Sequence, residues 1–272
     1  MPAFMFLCAP LLPLAGAALV PREAATLSPV ADGNIAHADA ANAPIPAVLR
    51  MTACSPSRLE DAAAAWAALS PHMGVELSAD AECEGYLRRS WGERHASLFR
   101  NLSAWLGPLA GPIKSDLWRA ARLYDSGGIY SDADVEPLVP LSAFLDDERI
   151  ELLVPLGAPM GLFNGSIFNA LIMARPNHPV LADTLARMLA CTSRCSYTEW
   201  SGTRHMQDAL LAYLRRDRLE PGDYEVAGGR IVRVLREVCE SEREIATCHV
   251  ESTSTPAVRV ANSHAYRSAR GC

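Results

Sequence analysis

IKSDLWRAARLYDSGGIYSDADVEPLVPL, residues 113–141, is the stretch on which the fold of this chain is read. Leu117, Ala120, Ala121 and Tyr124 fall at i, i+3, i+4 and i+7, the spacing that gives a helix one apolar face. Residues 113–124 are therefore predicted to be an amphipathic helix, with Gly127 and Gly128 suited to its C-terminal cap. Ile129, Tyr130 and Ser131 read as a short buried strand. It ends in Asp132-Ala133-Asp134, and Val135, Glu136 and Pro137 follow where a strand would stop and the chain turn.

Outward from this stretch, helical and strand patterns alternate. Residues 45–53 (IPAVLRMTA) suit a first strand, and 58–69 an Ala-rich helix stopped by Pro71. Residues 74–77 suit a second short strand. Leu98, Leu102, Trp105 and Leu106 form a helical apolar stripe, broken by Gly107, Pro108, Gly111 and Pro112. Further strands are expected at 150–155 and 167–174, helices at 179–189 and 204–216, and a less regular C-terminal part. Such alternation predicts an α/β sandwich.

The chain has 272 residues, half of them hydrophobic and 21% charged, which suits one folded catalytic domain with an ample core. Its net charge of -6 argues against a nucleic-acid binder, which needs excess Lys and Arg, so phosphate bound here is expected to arrive with a metal ion. Residues 2–20 are apolar without a charge, and Ala15, Gly16, Ala17 and Ala18 resemble a cleavage site. Residues 1–20 are thus expected to be a cleaved signal or a signal-anchor that associates the chain with a membrane. Residues 21–44, rich in Ala, Pro, Asp and Asn, read as a linker or stem, and 45–272 as the catalytic domain. Eight cysteines without zinc-site spacing favour disulfides in a secretory compartment, in the Golgi or ER lumen if the chain is eukaryotic. Asn101 and Asn164 open glycosylation sequons.

Two carboxylates one residue apart, on a tight turn at the end of a buried strand, can converge on one hard cation such as Mn²⁺ or Mg²⁺. Asp132 and Asp134 meet that requirement, and ligands of open α/β sheets bind beyond the carboxyl ends of strands. Asp116 and Arg119, at i and i+3, project from one face of the preceding helix, and Asp132 arrives after a short glycine turn that returns the chain alongside, so one pocket could hold all three. A plain helix-surface salt bridge is the competing reading of that pair. Trp91, Trp105 and Trp118 are candidates for stacking on sugar or base, with core packing as the default.

The stretch 113–141 resembles the signature of the DXD-containing family 32 glycosyltransferases, a group with fungal mannosyltransferases, animal α-1,4-glycosyltransferases and, more distantly, glucosylating toxins. Residues 169–181 (NALIMARPNHPVL) resemble a later segment of the same family, in which an Asn opens a strand and a His-Pro pair opens a helix. Ile45-Pro46 resembles its first-strand opening. The resemblance implies a GT-A type, single-domain, Rossmann-like sandwich with a central, mostly parallel sheet. It implies a UDP- or GDP-sugar donor, Mn²⁺ or Mg²⁺, and transfer of a hexose or N-acetylhexosamine to a glycan, glycolipid or protein with retention of configuration. By matching positions, Asp116 and Arg119 contact the donor sugar, Tyr130 and Asp132 lie against ribose and sugar, and Asp134 is the direct metal ligand. Asn169 touches donor or acceptor, and His264, in ANSHAY (261–266), stands for the family's late His-x-Trp element. Ser201-Gly202-Thr203 departs from the family's Thr-Gly-Pro. His178 reads as a helix-start residue rather than a ligand.

Two other readings stay open. One is a catalytically silent accessory protein of this fold that binds a sugar nucleotide. The other, a metal-dependent phosphohydrolase, requires a water-activating base that no residue here identifies.

Overall fold

The computed structural model describes residues 43–53, 59–158, 166–191, 193–239, 248–253 and 257–263. The chain opens with a βαβ unit: strand β1 (Val48–Thr52), helix α1 (Glu60–Leu69) and strand β2 (Gly74–Ser78), with β1 and β2 parallel. Helices α2 (Asp80–Trp91), α3 (Glu93–Leu106) and α4 (Ala110–Ser126) follow, then strands β3 (Gly128–Ser131) and β4 (Val135–Pro137). A short helix α5 (Leu141–Phe144) leads to strands β5 (Ile150–Leu156) and β6 (Leu171–Ala174). Helices α6 (Pro179–Leu189), α7 (Tyr197–Trp200) and α8 (Gly202–Leu214) precede strands β7 (Gly222–Val226), β8 (Arg230–Cys239), β9 (Cys248–Glu251) and β10 (Arg259–Ser263).

The α/β architecture is as expected, with four corrections, the first being that Val135, Glu136 and Pro137, expected where a strand stops and the chain turns, themselves form strand β4 paired with β10. Helix α4 starts at Ala110, because Gly111 and Pro112 fall in its first turn, where proline costs no internal hydrogen bond. The C-terminal part is not irregular: among the described residues it supplies four strands, and the β-branched Ile231, Val232, Val234 and Val238 of β8 (RIVRVLREVC), rather than any alternation, were the available signal. The sheet is mixed rather than mostly parallel. Among the described residues only β1·β2, β1·β3 and β5·β8 pair in parallel, while β3·β6, β5·β6, β7·β8, β8·β9, β9·β10 and β10·β4 are antiparallel. The links from β8 to β9 and from β9 to β10 are shorter than the roughly dozen residues that a parallel crossover requires.

Strand order is β2-β1-β3-β6-β5-β8-β9-β10-β4, with β7 on β8. Six steps thus separate β3 from β4, roughly 29 Å across a flat sheet at about 4.8 Å per step. Yet only Asp132, Ala133 and Asp134 join those two strands, a link that reaches at most about 14 Å. The sheet must curl until its far edge returns beside β3. Its inner face packs Ile129, Val135, Leu153, Leu235, Val250 and Ala261 with Trp66 and Phe144, and the other face packs Tyr130, Val154 and Val232 against α4, α6 and α8.

The turn from α4 into β3 depends on two glycines at positive φ, Gly127 (59°) and Gly128 (106°). A Cβ on Gly128 would lie 2.7 Å from the Val48 carbonyl oxygen and 3.3 Å from Arg50 Nε, which itself donates to the Gly127 carbonyl at 3.0 Å. Backbone strain and backbone contact therefore act together. Gly128→Ala is expected to lower stability by about 2 kcal/mol or more, read as a fall in the chemical-denaturation midpoint at unchanged m-value.

Candidate active site

Helix α4 runs antiparallel to β3, so its N-terminal half stands over the carboxyl end of that strand. Asp116 and Arg119, one helical turn apart there, are both buried, at 6% and 4% exposure. A surface salt bridge is thereby excluded. The Asp116 carboxylate accepts from Asn169 Nδ2 at 2.7 Å on one oxygen and from the Gly202 backbone N–H at 2.8 Å on the other. Arg119 lies 3.3 Å from Asp116 Oδ1 and 3.4 Å from Asp132 Oδ1, donates to the Asn169 carbonyl, and sits 4.1 Å over the Tyr130 ring. The Tyr130 hydroxyl donates to Asp132 Oδ1 at 2.5 Å.

The backbone holds this arrangement in place. Asp132 N donates to the Ala170 carbonyl at 2.8 Å, continuing the β3·β6 ladder, and Val135 N donates to the Asp132 carbonyl at 3.2 Å, closing the turn. Extended alternation would splay the two aspartates apart, and this turn keeps both at the strand end.

Burial opposes charge on Arg119, but Asp132, Tyr130, Asp116 and Asp134 outweigh it and hold the guanidinium protonated above its usual range. Burial pushes the Asp116 carboxyl up, against the pull of Arg119 and the Gly202 N–H. Burial also pushes the Tyr130 phenol well up, with Asp132 adding to it, so Tyr130 stays a hydrogen-bond donor. The result is a fixed positive centre between carboxylates, a geometry that can receive a sugar hydroxyl or phosphate oxygen. Two buried donors beside it, Arg119 Nε and Trp118 Nε1, make no hydrogen bond within the protein.

Of the residues predicted from sequence, Asp116, Arg119, Tyr130, Asp132 and Asn169 converge through these contacts. Asp134, on the same turn and partly exposed, is coupled to Arg119 electrostatically. His264 lies outside the described residues. His178 is the N-cap of α6: its Nδ1 accepts from Val180 N, and its Nε2 lies 3.3 Å from Glu151. Trp91 and Trp118 are core residues, and Trp105 is 39% exposed, stacked on Trp200 at 6.0 Å. Gly202 was missed as a site residue. Its signal was a small residue at a helix start, in the segment that departs from the family pattern.

Asp132 and Asp134 are the carboxylates that the DXD turn offers to a cation. Among the described residues no group of three Asp, Glu, His or Cys side chains stands ready to hold a metal. Asp132 turns one oxygen toward Tyr130 and Arg119, leaving the DXD turn with few hard oxygen donors. That suits an ion such as Mg²⁺, which binds through one or two carboxylates and keeps substrate phosphates and water for the rest of its shell.

The stretch that builds this site decides the comparison with known families. Residues 66–151 match the glycosyltransferase sugar-binding region containing DXD motif. This is the family that residues 113–141 resemble, and the match supports a glycosyl-transfer role. The matched DXD region includes Asp116, Arg119, Tyr130, Asp132 and Asp134, while Asn169 and Gly202 reach the site from beyond it. Among solved structures, the PaToxG glycosyltransferase is similar at 14% identity and a TM-score of 0.45, over 62% of this chain and 70% of that one. No curated protein matches.

Proposed function

We propose that residues 45–272 form a retaining glycosyltransferase that moves a hexose or N-acetylhexosamine from a UDP- or GDP-sugar to a glycan, glycolipid or protein acceptor. The observation that carries this reading is the buried Asp116–Arg119 pair, tied to Asn169 and Tyr130 and joined to the partly exposed Asp132 of the DXD turn. A divalent cation, Mn²⁺ or Mg²⁺, held by Asp134 with Asp132, supplies charge neutralisation of the departing diphosphate.

The chain's own residues do the rest. Asp116 and Asn169 accept from and donate to hydroxyls of the donor sugar and fix its orientation. Arg119 adds positive charge where negative charge grows as the anomeric bond breaks, which favours the transition state over the ground state. Tyr130, held as a donor, keeps Asp132 turned inward. Acidic Asp116 and Asp132 flank the guanidinium so that it cannot swing away.

Residues 1–20 as a signal or anchor and 21–44 as a stem complete the proposed organisation, with the protein in a secretory or exported route. The Cys239–Cys248 disulfide, which joins the paired ends of β8 and β9, supports an oxidising compartment. Among the described residues no helix is long and apolar enough to cross a membrane.

The test is a screen of nucleotide sugars on the purified chain, read as release of nucleoside diphosphate. Release is expected with Mn²⁺ or Mg²⁺ and is expected to disappear in EDTA and return when the cation is restored. Full release in EDTA would remove the cation from the scheme. Donor binding with no turnover on any acceptor would favour the silent accessory reading.

A further inference from the structure

The curl of the sheet gathers more than the DXD turn at its mouth. Strand β8 runs parallel to β5, so Glu237 emerges beside Gly157 and Ala158 at the carboxyl end of both. Leu235 and Val250 face the interior of the curl, and Glu237 follows Leu235 on that same face at 9% exposure. Across the interior, Ser263 ends β10 on the face that carries Ala261, and it is fully buried. The two meet: Ser263 Oγ donates to Glu237 Oε1 at 2.7 Å, and Ala158 N donates to Glu237 Oε2 at 3.0 Å.

Ser263 is also the residue that β10 pairs with Val135 of β4. Val135 N closes the DXD turn by donating to the Asp132 carbonyl, and Asn262 Nδ2 fastens the same strand pair by donating to Glu136 at 3.0 Å. Glu237 is therefore linked to the turn that carries Asp132 and Asp134 by the Ser263 hydrogen bond, by the register pairing of Ser263 with Val135, where side chains stand closest, and by the Val135 hydrogen bond. A buried carboxylate held only by neutral donors is costly beside an amide of equal shape. The two donors account for it, because an amide offers one acceptor oxygen and would set its own N–H₂ against the other donor.

We propose that Glu237 is a positioning residue that sets the affinity of the Asp132–Asp134 turn for a divalent cation and a nucleoside diphosphate, acting through Ser263. The inference rests on the reading of that turn as the cation and diphosphate site. Glu237 touches neither ligand; it fixes where β10 holds β4, and so how closely the two aspartates approach one another. A 1 Å error there is enough to spoil a coordination shell that tolerates little distortion.

Isothermal titration of Mn²⁺ with UDP, and separately with GDP, into the full chain tests this without reference to turnover. Glu237→Gln and Ser263→Ala are each expected to weaken Mn²⁺-dependent nucleotide binding about tenfold, and Ser263→Thr, which keeps the hydroxyl, to restore it to within about threefold. Leu235→Ala, one layer deeper in the curl, separates positioning from mere stability: it should lower the melting temperature and leave the binding midpoint in place. Unchanged binding in both E237Q and S263A, beside clear binding by the unsubstituted chain, would overturn this inference alone. An unsubstituted chain that binds neither nucleotide with Mn²⁺ would overturn the functional reading and this inference together.

Discussion

Asp134→Asn is expected to reduce cation-dependent donor cleavage on the order of a thousandfold while leaving the fold intact. The magnitude follows from the several kcal/mol of transition-state charge stabilisation that a bound cation supplies, at about 1.4 kcal/mol per decade of rate. The amide is nearly isosteric and keeps one oxygen, but it lacks the charge that draws a hard cation. Asp134 lies partly exposed on the turn, and loss of its electrostatic coupling to Arg119 is expected to lower stability by about 1 kcal/mol at most. Rates measured across a Mn²⁺ titration, beside a melting curve, check both halves. Activity within a few-fold of the unsubstituted chain at low Mn²⁺ would show that Asp134 holds no catalytic ion.

Gly202→Ala should be nearly as damaging, although it adds a single methyl group. A Cβ at Gly202 would stand 2.6 Å from Asp116 Cβ, 2.8 Å from Cγ and 2.9 Å from Oδ2. These atoms belong to a short, buried side chain that cannot swing clear. Either α8 retreats, or Asp116 moves and breaks its bonds with the Gly202 N–H and Asn169. Overpacking of this kind costs about 1–3 kcal/mol, and if Asp116 orients the sugar as proposed, its displacement by about 1 Å costs on the order of a hundredfold in rate. Turnover and unfolding midpoint are therefore expected to fall together. A variant that kept both would mean that α8 approaches Asp116 less closely than the 2.8 Å hydrogen bond requires.

Much of the candidate site was legible because its residues lie close together in sequence. Asp116, Arg119, Tyr130, Asp132 and Asp134 sit on one helix, one strand and one turn, whose periodicity and glycine cap the chain displays openly. Local spacing, however, says nothing about burial. Whether Asp116 and Arg119 formed a surface pair or an interior one depended on Asn169 and Gly202, which arrive from distant elements. Gly202 carries no side chain to advertise a role, and its importance is the space it leaves. The C-terminal strands were hidden for a different reason. Their pairing partners, β4 and β8, are set by the curl of the sheet, and curvature leaves no periodic mark in any one strand. Helix α2 was overlooked because its buried residues, Cys83, Leu87 and Trp91, are few among charges, so its stripe is thin.

The return of the sheet's far edge to β3 has a bearing on when this protein becomes competent. Asn262 and Glu136 are bonded across 126 positions of chain, and contacts so remote are among the last that a folding polypeptide gains, since loop-closure entropy must be met before they form. Synthesis proceeds from the other end, and domains form as their segments emerge. Until Arg259–Ser263 have left the ribosome, the strand that buttresses the acidic turn does not exist. A nascent chain, even one long enough to have formed α4 and β3, would lack the finished turn until β10 emerges and pairs with β4.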